Sequence, residues 1–418
     1  MAGSVFQNKW FVLYFLTSCA SQIGTQVYRL AIPWLVLEMT DSVVSMSAMF
    51  VVETAPFILL GPILGVFIDR FDRRRIMIVS DFARAVLVSI IPVLAALGYL
   101  ELWHLYLIGF ALSIFSILFD LVVDFSLLPN LVEKTQLTAA NSVKMSIQSL
   151  SSLLGPAVAG ATIAMAGAKN AFIIDAASYF LTLLFVFLLP VNLGGNEPTN
   201  IRKLTVATVV SDMKNGFAFL ARSPILRVLI ANSFLVNLAL GALFTVMTYR
   251  LGHELQLSSF IVGSVYSILG GMALLGSLLA PYLLRIMPLG RSLAFAYLIA
   301  FAGIVLLAAV PDWRIALFGY GLINAAMSIS NIYTFTIRQR EIPAEYIGRV
   351  NATYRMFLVL AFPFSAAVLG GLANSFGAKA AFICSAIIMT VVVSFTFLSS
   401  IPRYKEKRET VETVSPQT

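Results

Sequence analysis

Charged side chains are scarce in this chain of 418 residues, of which Asp, Glu, Lys and Arg make up only 11%. Soluble domains carry about 25% charged residues, so the shortage excludes an ordinary soluble globule. Disorder is excluded as well, because 59% of the residues are hydrophobic and disordered chains have low hydrophobicity. The composition therefore indicates a protein embedded in lipid.

Cysteine and histidine are nearly absent. Two cysteines, Cys19 and Cys384, are too few for a disulfide scaffold. Neither lies at metal-ligand spacing from another cysteine or histidine, and His104 and His253 lie in or beside predicted external loops. No glycine pair is followed by the lysine of a phosphate-binding loop. The sequence predicts no metal site, no cofactor and no catalytic residue, which argues against an enzyme.

Long apolar runs are what the chain has in abundance. One bilayer crossing with its connection takes roughly 30–35 residues, so about twelve crossings fit. Lipid offers the backbone no water to bond, so unbroken runs of this kind must be helices. The sequence predicts an all-α integral membrane protein with twelve transmembrane helices, at 10–37, 43–68, 74–98, 102–127, 138–166, 170–190, 225–249, 258–284, 291–310, 314–337, 350–373 and 379–400.

The basic residues are biased to one side of the predicted membrane. Loops on the side of the N-terminus hold twenty of the 28 Lys and Arg residues, and the opposite loops hold four. This bias marks the cytoplasmic side, so we expect both termini in the cytoplasm. The net charge of +8 is then a topology signal, and no nucleic-acid binding is expected. The first run is too long for a cleaved signal peptide and is predicted to be helix 1.

An internal repeat divides the chain. Gly167–Ile173 matches Gly377–Ile383 at six of seven positions, at an offset of 210 residues. A parallel repeat of half the chain length predicts two pseudo-symmetric bundles of six helices. We expect an N-terminal bundle at 1–190, a cytoplasmic linker with an amphipathic segment at 191–224, a C-terminal bundle at 225–402 and a disordered cytoplasmic tail at 403–418.

The loop between helices 2 and 3 carries a motif. Its sequence, Gly65-Val66-Phe67-Ile68-Asp69-Arg70-Phe71-Asp72-Arg73-Arg74, resembles the G-x-x-x-D-R-x-G-R-R signature of the major facilitator superfamily. Asp72 departs from this pattern, which usually has glycine there, but aspartate also tolerates turn geometry. Together with twelve helices and a six-helix repeat, the resemblance implies the major facilitator fold.

Further stretches resemble one branch of that superfamily, the macrolide-efflux and enterobactin-exporter type. They include Leu128-Pro129-Asn130-Leu131-Val132, Leu154-Gly155-Pro156 with Gly160, and Arg338-Gln339-Arg340 with Pro343 and Gly348. The resemblance covers about residues 5–400. It implies export of a small molecule by a functional monomer in a bacterial plasma membrane, and it leaves the substrate open.

The resemblance also implies a cytoplasmic gate at the motif. Asp69 would cap the cytoplasmic start of helix 11, where the helix dipole favours a carboxylate. Arg70, Arg73 and Arg74 would pair with carboxylates on neighbouring helix ends. Gly65 would let helix 2 approach its partner closely.

Charged residues inside the predicted helices need partners or water, because each costs at least about 2.5 kcal/mol in lipid. Counting from the loops places Arg29 and Glu53 at one depth in the outer half. Asp120 and Asp124, one turn apart on helix 4, bracket the level of Lys144 on helix 5. We expect an outer ionic layer of Arg29 with Glu53 and an inner layer of the other three. Asp124 is also placed to pair with the loop arginines, so gate and transport roles both stay open for it.

Asp120 is the candidate for proton coupling. Desolvation penalises its charged form, and it lies too deep to be explained as a partner of the basic loop. A static bridge between Asp120 and Lys144 is the competing interpretation. Asp175 is expected to be a structural carboxylate at a helix start, and Asp81 with Arg84 a local pair at the membrane interface.

Two functions fit this fold. The first is secondary active export of an amphiphilic small molecule (a drug, siderophore or other secondary metabolite) by alternating access, in antiport with protons. The second is flipping of a lysolipid or lipid precursor. We favour the exporter, with a small-molecule substrate, protons and membrane lipid as its partners and a connection to multidrug resistance.

Overall fold

The computed structural model describes residues 6–68, 72–123, 127–133, 136–190, 206–310, 312–343 and 347–404, and every regular element in these ranges is helical. The first half comprises α1 (Lys9–Thr40), α2 (Val43–Ile68), α3 (Arg73–Leu97), α4 (Leu102–Val122), the short α5 (Leu128–Leu131), α6 (Leu137–Ala166) and α7 (Ala168–Leu188). After α8 (Val206–Arg222), the second half comprises α9 (Pro224–Leu240), α10 (Leu243–Tyr249), α11 (Ser259–Ile286), α12 (Leu289–Ala309), α13 (Trp313–Glu341), α14 (Ile347–Phe376) and α15 (Ala378–Leu398).

Eleven segments of the described chain are long and apolar enough to cross a membrane, with α9 and α10 counted in one span. The twelfth long helix is α1, which has 32 residues and contains Arg29 and Glu38. The predicted all-α membrane fold is therefore confirmed. The bounds of the linker and tail remain predictions, since 191–205 and 405–418 lie outside the described residues and α8 is the part of the predicted linker that the structure describes.

The internal repeat is visible in the backbone. Gly167 and Gly377 directly precede α7 and α15, with φ of 80° at both and ψ of 157° and 164°. Glycine adopts this conformation readily, whereas a side chain would strain it. The two matching segments thus form the same turn at the same point of each half.

The two halves meet mainly through two helix pairs, α6 with α11 and α2 with α14, and α10 adds smaller contacts with α1 and α2. In the first pair, Gly160 and Gly263 face each other so closely that a Cβ on either would meet the backbone of the other helix. Small residues permit this kind of approach in membranes. The buried apolar residues form one large cluster extending over both halves and a smaller one between the N-terminal helices.

The bundle has a termini end, where α1 begins and α15 finishes, and a far end, where α1 finishes. The halves are in contact at the far end. Asp41 follows α1 with φ of 54°, a conformation that aspartate visits more easily than most residues, and its Oδ1 lies 2.9 Å from Nε2 of His253 in the other half. One to two turns further in, the rings of Phe50 and Phe362 meet edge to face at 5.5 Å.

Candidate transport site

Asp120, near the end of α4, is surrounded by positive charge. Its side chain is exposed, although it belongs to a helix apolar enough to span a membrane. Four cations from four helices interact with it electrostatically: Arg84 of α3, Lys144 of α6, Arg29 of α1 and Arg355 of α14. Because α14 belongs to the C-terminal half, Asp120 lies where the two halves face each other.

Arg355 reaches across that boundary. Its guanidinium lies over the ring of Phe57 in α2, 4.7 Å from the ring centre. On the opposite wall Lys144 is half-buried, and Gln148, one turn further along α6, is exposed. Polar residues of both halves thus border the space that Asp120 faces.

Glu53 of α2 lies beside α1. Its Oε1 accepts a hydrogen bond of 2.6 Å from the Tyr28 hydroxyl, and Gly109 of α4 leaves room for both side chains. Arg29 interacts with Glu53 electrostatically, but in the described part of the chain the two form no direct ion pair. Arg29 also acts on Asp120. The structure therefore connects the two predicted ionic layers through Arg29 instead of keeping them separate.

Arg84 is the charged residue whose importance the sequence analysis missed. It is 4% exposed and lies between the rings of Phe119 and Tyr179, 4.1 and 4.5 Å from their centres. The predicted ion pair with Asp81 is confirmed. Its predicted place at the membrane interface is wrong, because Arg84 lies near the middle of the membrane span Arg73–Leu97, and both residues are buried inside the bundle. The sequence contained a signal for this burial: Arg84 lies about three turns from the start of α3, too deep for the membrane interface.

Asp175 was also assigned the wrong surroundings. The structure places it two turns into α7 and 0% exposed, too far along the helix to cap its start. It interacts electrostatically with Arg84. Asp175 is therefore not a helix-start carboxylate, as predicted, but a member of the buried cluster around Arg84.

Much of the predicted gate motif is not described. Asp69, Arg70 and Asp124 lie outside the described residues, so their roles stay predictions. Gly65 belongs to α2, and Arg73 is the first residue of α3. The guanidinium of Arg74 donates a hydrogen bond of 2.9 Å to a main-chain carbonyl at the end of α7.

Asp72, which departs from the superfamily pattern, begins α3. Its Oδ1 accepts hydrogen bonds from the main-chain N–H groups of Arg74 and Arg75, at 2.8 and 3.2 Å. A side-chain oxygen at this position satisfies N–H groups that the first turn of a helix leaves unpaired. The aspartate thus supplies an N-cap that a glycine would lack.

The C-terminal half contains a cavity of about 430 Å³. Arg338 is the cation among its lining residues, and its guanidinium lies 3.9 Å from the ring centre of Tyr354 and donates a hydrogen bond of 2.8 Å to Asn351. At the repeat offset of 210 residues, Tyr354 corresponds to Lys144. The lining also includes polar and aromatic residues (Ser233, Asn237, Tyr297, Ser330, Asn331 and Phe335) and the aliphatic Val236, Ile332 and Leu358. The described residues contain no group of three or more His, Cys, Asp and Glu that could hold a metal ion.

The described residues form twelve long helices in two pseudo-symmetric halves, with charges facing each other between them, which is the arrangement of a membrane transporter of the major facilitator fold. The model of the transmembrane secretion effector family matches residues 2–417, so the chain belongs to that family of the superfamily. It is 28% identical over 416 residues to the MFS-type transporter YfiS of Bacillus subtilis, with 95% of each chain covered. It is 25% identical over 398 residues to macrolide efflux protein A of Streptococcus pyogenes, covering 92% of this chain and 95% of that protein.

A solved structure confirms the fold. A bacterial homologue of the iron transporter ferroportin, in an inward-facing state, superposes with a TM-score of 0.78 at 17% identity, over 93% of this chain and 98% of that one. Together with the family match over residues 2–417, this fold confirms the predicted superfamily. Its members are transporters, so the chain is a multi-span membrane transporter and not an enzyme.

Proposed function

We propose that the protein exports an amphiphilic small molecule from the cytoplasm in exchange for protons, as a monomer in a bacterial plasma membrane. The observation that carries the proposal is Asp120, an exposed carboxylate inside an apolar bundle, among cations from both halves. A charge at such a position must be hydrated or paired. The space between the halves therefore admits water, and with it polar parts of a cargo.

Alternating access follows from how the halves touch. Contacts such as Asp41 with His253 close the far end, while Asp120 and Gln148, nearer the termini end, are exposed. This arrangement supports a cavity that opens toward the termini. Rocking of the halves along the α6–α11 and α2–α14 contacts would open the far end and close the other.

The direction of transport depends on the orientation in the membrane. The bias of basic loops places the termini end in the cytoplasm. In a background without Cys19 and Cys384, a cysteine replacing Glu101 should react with an impermeant thiol reagent added to intact cells. A cysteine replacing the exposed Lys214 of α8 should react only after the membrane is opened. The reverse pattern would overturn the orientation and the direction of export.

Proton coupling is assigned to Asp120. A proton drives transport only if the two conformations bind it with different affinity. The cations around Asp120 come from α1, α3, α6 and α14, and rocking would move α14 relative to the others. The field at Asp120, and hence its affinity for a proton, would change between the two states.

The cargo is expected to combine apolar and polar groups. The cavity of the C-terminal half offers tyrosine and phenylalanine rings beside amides, hydroxyls and the Arg338 guanidinium, a lining typical of sites for drug-sized ligands. The name of the macrolide efflux relative supports export of antibiotics or similar secondary metabolites.

Proton flux in liposomes tests this function. Purified protein would be reconstituted with a pH-sensitive dye inside, and a macrolide, ethidium or a labelled lysophospholipid would be added in turn. We expect addition of a macrolide or of ethidium to evoke proton movement, and we expect Asp120→Asn to abolish it. Transfer of the lysophospholipid between leaflets without proton movement would instead establish the flippase.

A further inference from the structure

Asp175 is a buried carboxyl group without a partner. It is 0% exposed, and neither carboxylate oxygen has a hydrogen-bond partner among the described residues. The Ser178 hydroxyl, one turn along α7, donates to the main-chain oxygen of Asp175 at 2.7 Å. From α1, Gly24 packs against the carboxylate, so that even a Cβ there would crowd it. The hydroxyls of Ser178 and Tyr179 lie near the carboxylate, but neither completes a hydrogen bond to its oxygens.

The cation that interacts with Asp175, Arg84, already forms an ion pair with Asp81. Arg84 interacts electrostatically with Asp175 and with Asp120, while its direct ion pair is with Asp81. Asp120 also interacts with Lys144, Arg29 and Arg355, whereas Asp81 and Asp175 have Arg84 as their cation in the described part of the chain. One positive charge cannot neutralise both of the buried carboxylates.

No second cation faces Asp175 in the part of the chain that the structure describes. From α1 the titratable neighbour is Tyr28, and from α7 itself it is Tyr179. The third helix packed against α7 is α6, whose single charged residue, Lys144, interacts with Asp120. Every other group that faces the carboxyl is neutral or negative.

The charge state follows from these counts. An unpaired ion in an apolar interior costs far more than binding a proton, so such groups become neutral. We propose that Asp175 is a proton-binding site: in this conformation it takes one proton from water and is neutral, while Asp81 stays ionised beside Arg84. The site is separate from Asp120: Asp175 is fully buried, whereas Asp120 is exposed.

Arg84 links the two sites. When Asp120 binds a proton, it stops competing for the field of Arg84, which then favours an ionised Asp175 and release of its proton to water. Loss of the proton from Asp120 has the opposite effect. Protons are therefore bound alternately at the two carboxyls. This use in coupling rests on the proposed function, whereas the proton on Asp175 does not depend on it.

Infrared spectroscopy of the purified, reconstituted protein at neutral pH tests the site without any cargo. The spectrum of the wild type minus that of Asp175→Asn should contain the C=O stretch of a protonated carboxyl group, with a shift in D2O. Asp312→Asn is the matched control. Asp312 is exposed, so the corresponding difference spectrum should contain the stretches of an ionised carboxylate and no C=O stretch of a protonated carboxyl group. Because asparagine resembles a neutral aspartic acid in shape and charge, Asp175→Asn should also keep the melting temperature of the wild type.

A second variant makes the test independent of Asp175→Asn. Asp81→Asn frees the charge of Arg84, so Asp175 should ionise and its C=O stretch should disappear although Asp175 is still present. A merely structural Asp175 would not respond in this way. Loss of carboxylate stretches in Asp175→Asn would show an ionised Asp175 and overturn the proposal. A C=O stretch together with no cargo-dependent proton flux would retain the site and refute the exporter.

Discussion

Three aspartates of the N-terminal half show how position decides what a carboxyl group can do. Asp81 is buried and paired with Arg84, so its charge is fixed. Asp175 is buried, and its carboxylate oxygens have no hydrogen-bond partner among the described residues, so its ionised form is energetically unfavourable. Asp120 is exposed among cations, so of the three it is the one in direct reach of water. These differences separate a structural ion pair from groups that can exchange protons.

Asp120→Asn should bind cargo but lose uphill export. Each pH unit across the membrane can support about a tenfold concentration ratio per proton exchanged, and this accumulation should vanish when the exchanging carboxyl is gone. Downhill exchange should be much less affected. The measurement is cargo accumulation in everted vesicles with and without a pH gradient. Asp312→Asn, an exposed N-cap that asparagine preserves, should behave as the wild type. An unchanged response of Asp120→Asn to the pH gradient would exclude Asp120 from coupling.

Arg29 and Glu53 should be energetically coupled. Arg29 is close enough to act on Glu53, and an apolar medium penalises either charge when its partner is lost. Removing one should therefore reduce stability more than removing both, with a coupling energy in the range of about 0.5–3 kcal/mol. A double-mutant cycle with Arg29→Gln and Glu53→Gln measures it by thermal unfolding in detergent. Tyr28→Phe removes the 2.6 Å hydrogen bond to Glu53 and serves as the uncharged comparison. Strictly additive effects would mean that the two charges act in separate surroundings.

At the scale of helices, the closest approach of the halves depends on two glycines. Gly160 of α6 and Gly263 of α11 bring the two backbones into contact, and both lie toward the far end. This contact can form only while the far end is closed, because separating the halves there would pull the glycines apart. The α6–α11 pair is therefore expected to influence which state the transporter occupies.

Gly263→Val should shift the transporter toward a state that is open at the far end. The added side chain would meet the main chain of Pro156 and Gly160, which destabilises the closed arrangement. In a background without native cysteines, a cysteine replacing Gln148 should then react several-fold faster with an impermeant reagent added outside. Gly371→Val is the control, because a Cβ built there has no atom of another helix within 4 Å. Equal labelling in both variants would show that the contact does not determine the state.

At the scale of the whole molecule, the sequence predicts what depends on local pattern. Hydrophobic runs locate the membrane helices, and the repeated Gly167 and Gly377 mark the same turn in each half. The runs cannot tell which faces meet, so the position of Arg84 beside Asp120 and Asp175 was missed. The contact of Asp41 with His253 was missed for the same reason, since it joins segments from different halves. Counting residues along a helix predicts the depth of a side chain in the membrane, but it does not predict toward which neighbouring helix that side chain points.

The contact of Asp41 with His253 predicts how one substitution acts on the closure of the far end. Nε2 of His253 lies 2.9 Å from Oδ1 of Asp41, and the two residues belong to different halves. Loss of the imidazole should therefore weaken the closed state.

Spin labels at cysteines replacing Val44 and Phe376, both exposed near the far end, measure the closure as an inter-label distance. His253→Ala should reduce the short-distance population relative to the wild type at the same pH, because the contact between the halves is lost. His104→Ala, which replaces the other histidine of the chain, should leave the distribution unchanged. An unchanged distribution in His253→Ala would leave the Asp41–His253 pair without a role in gating.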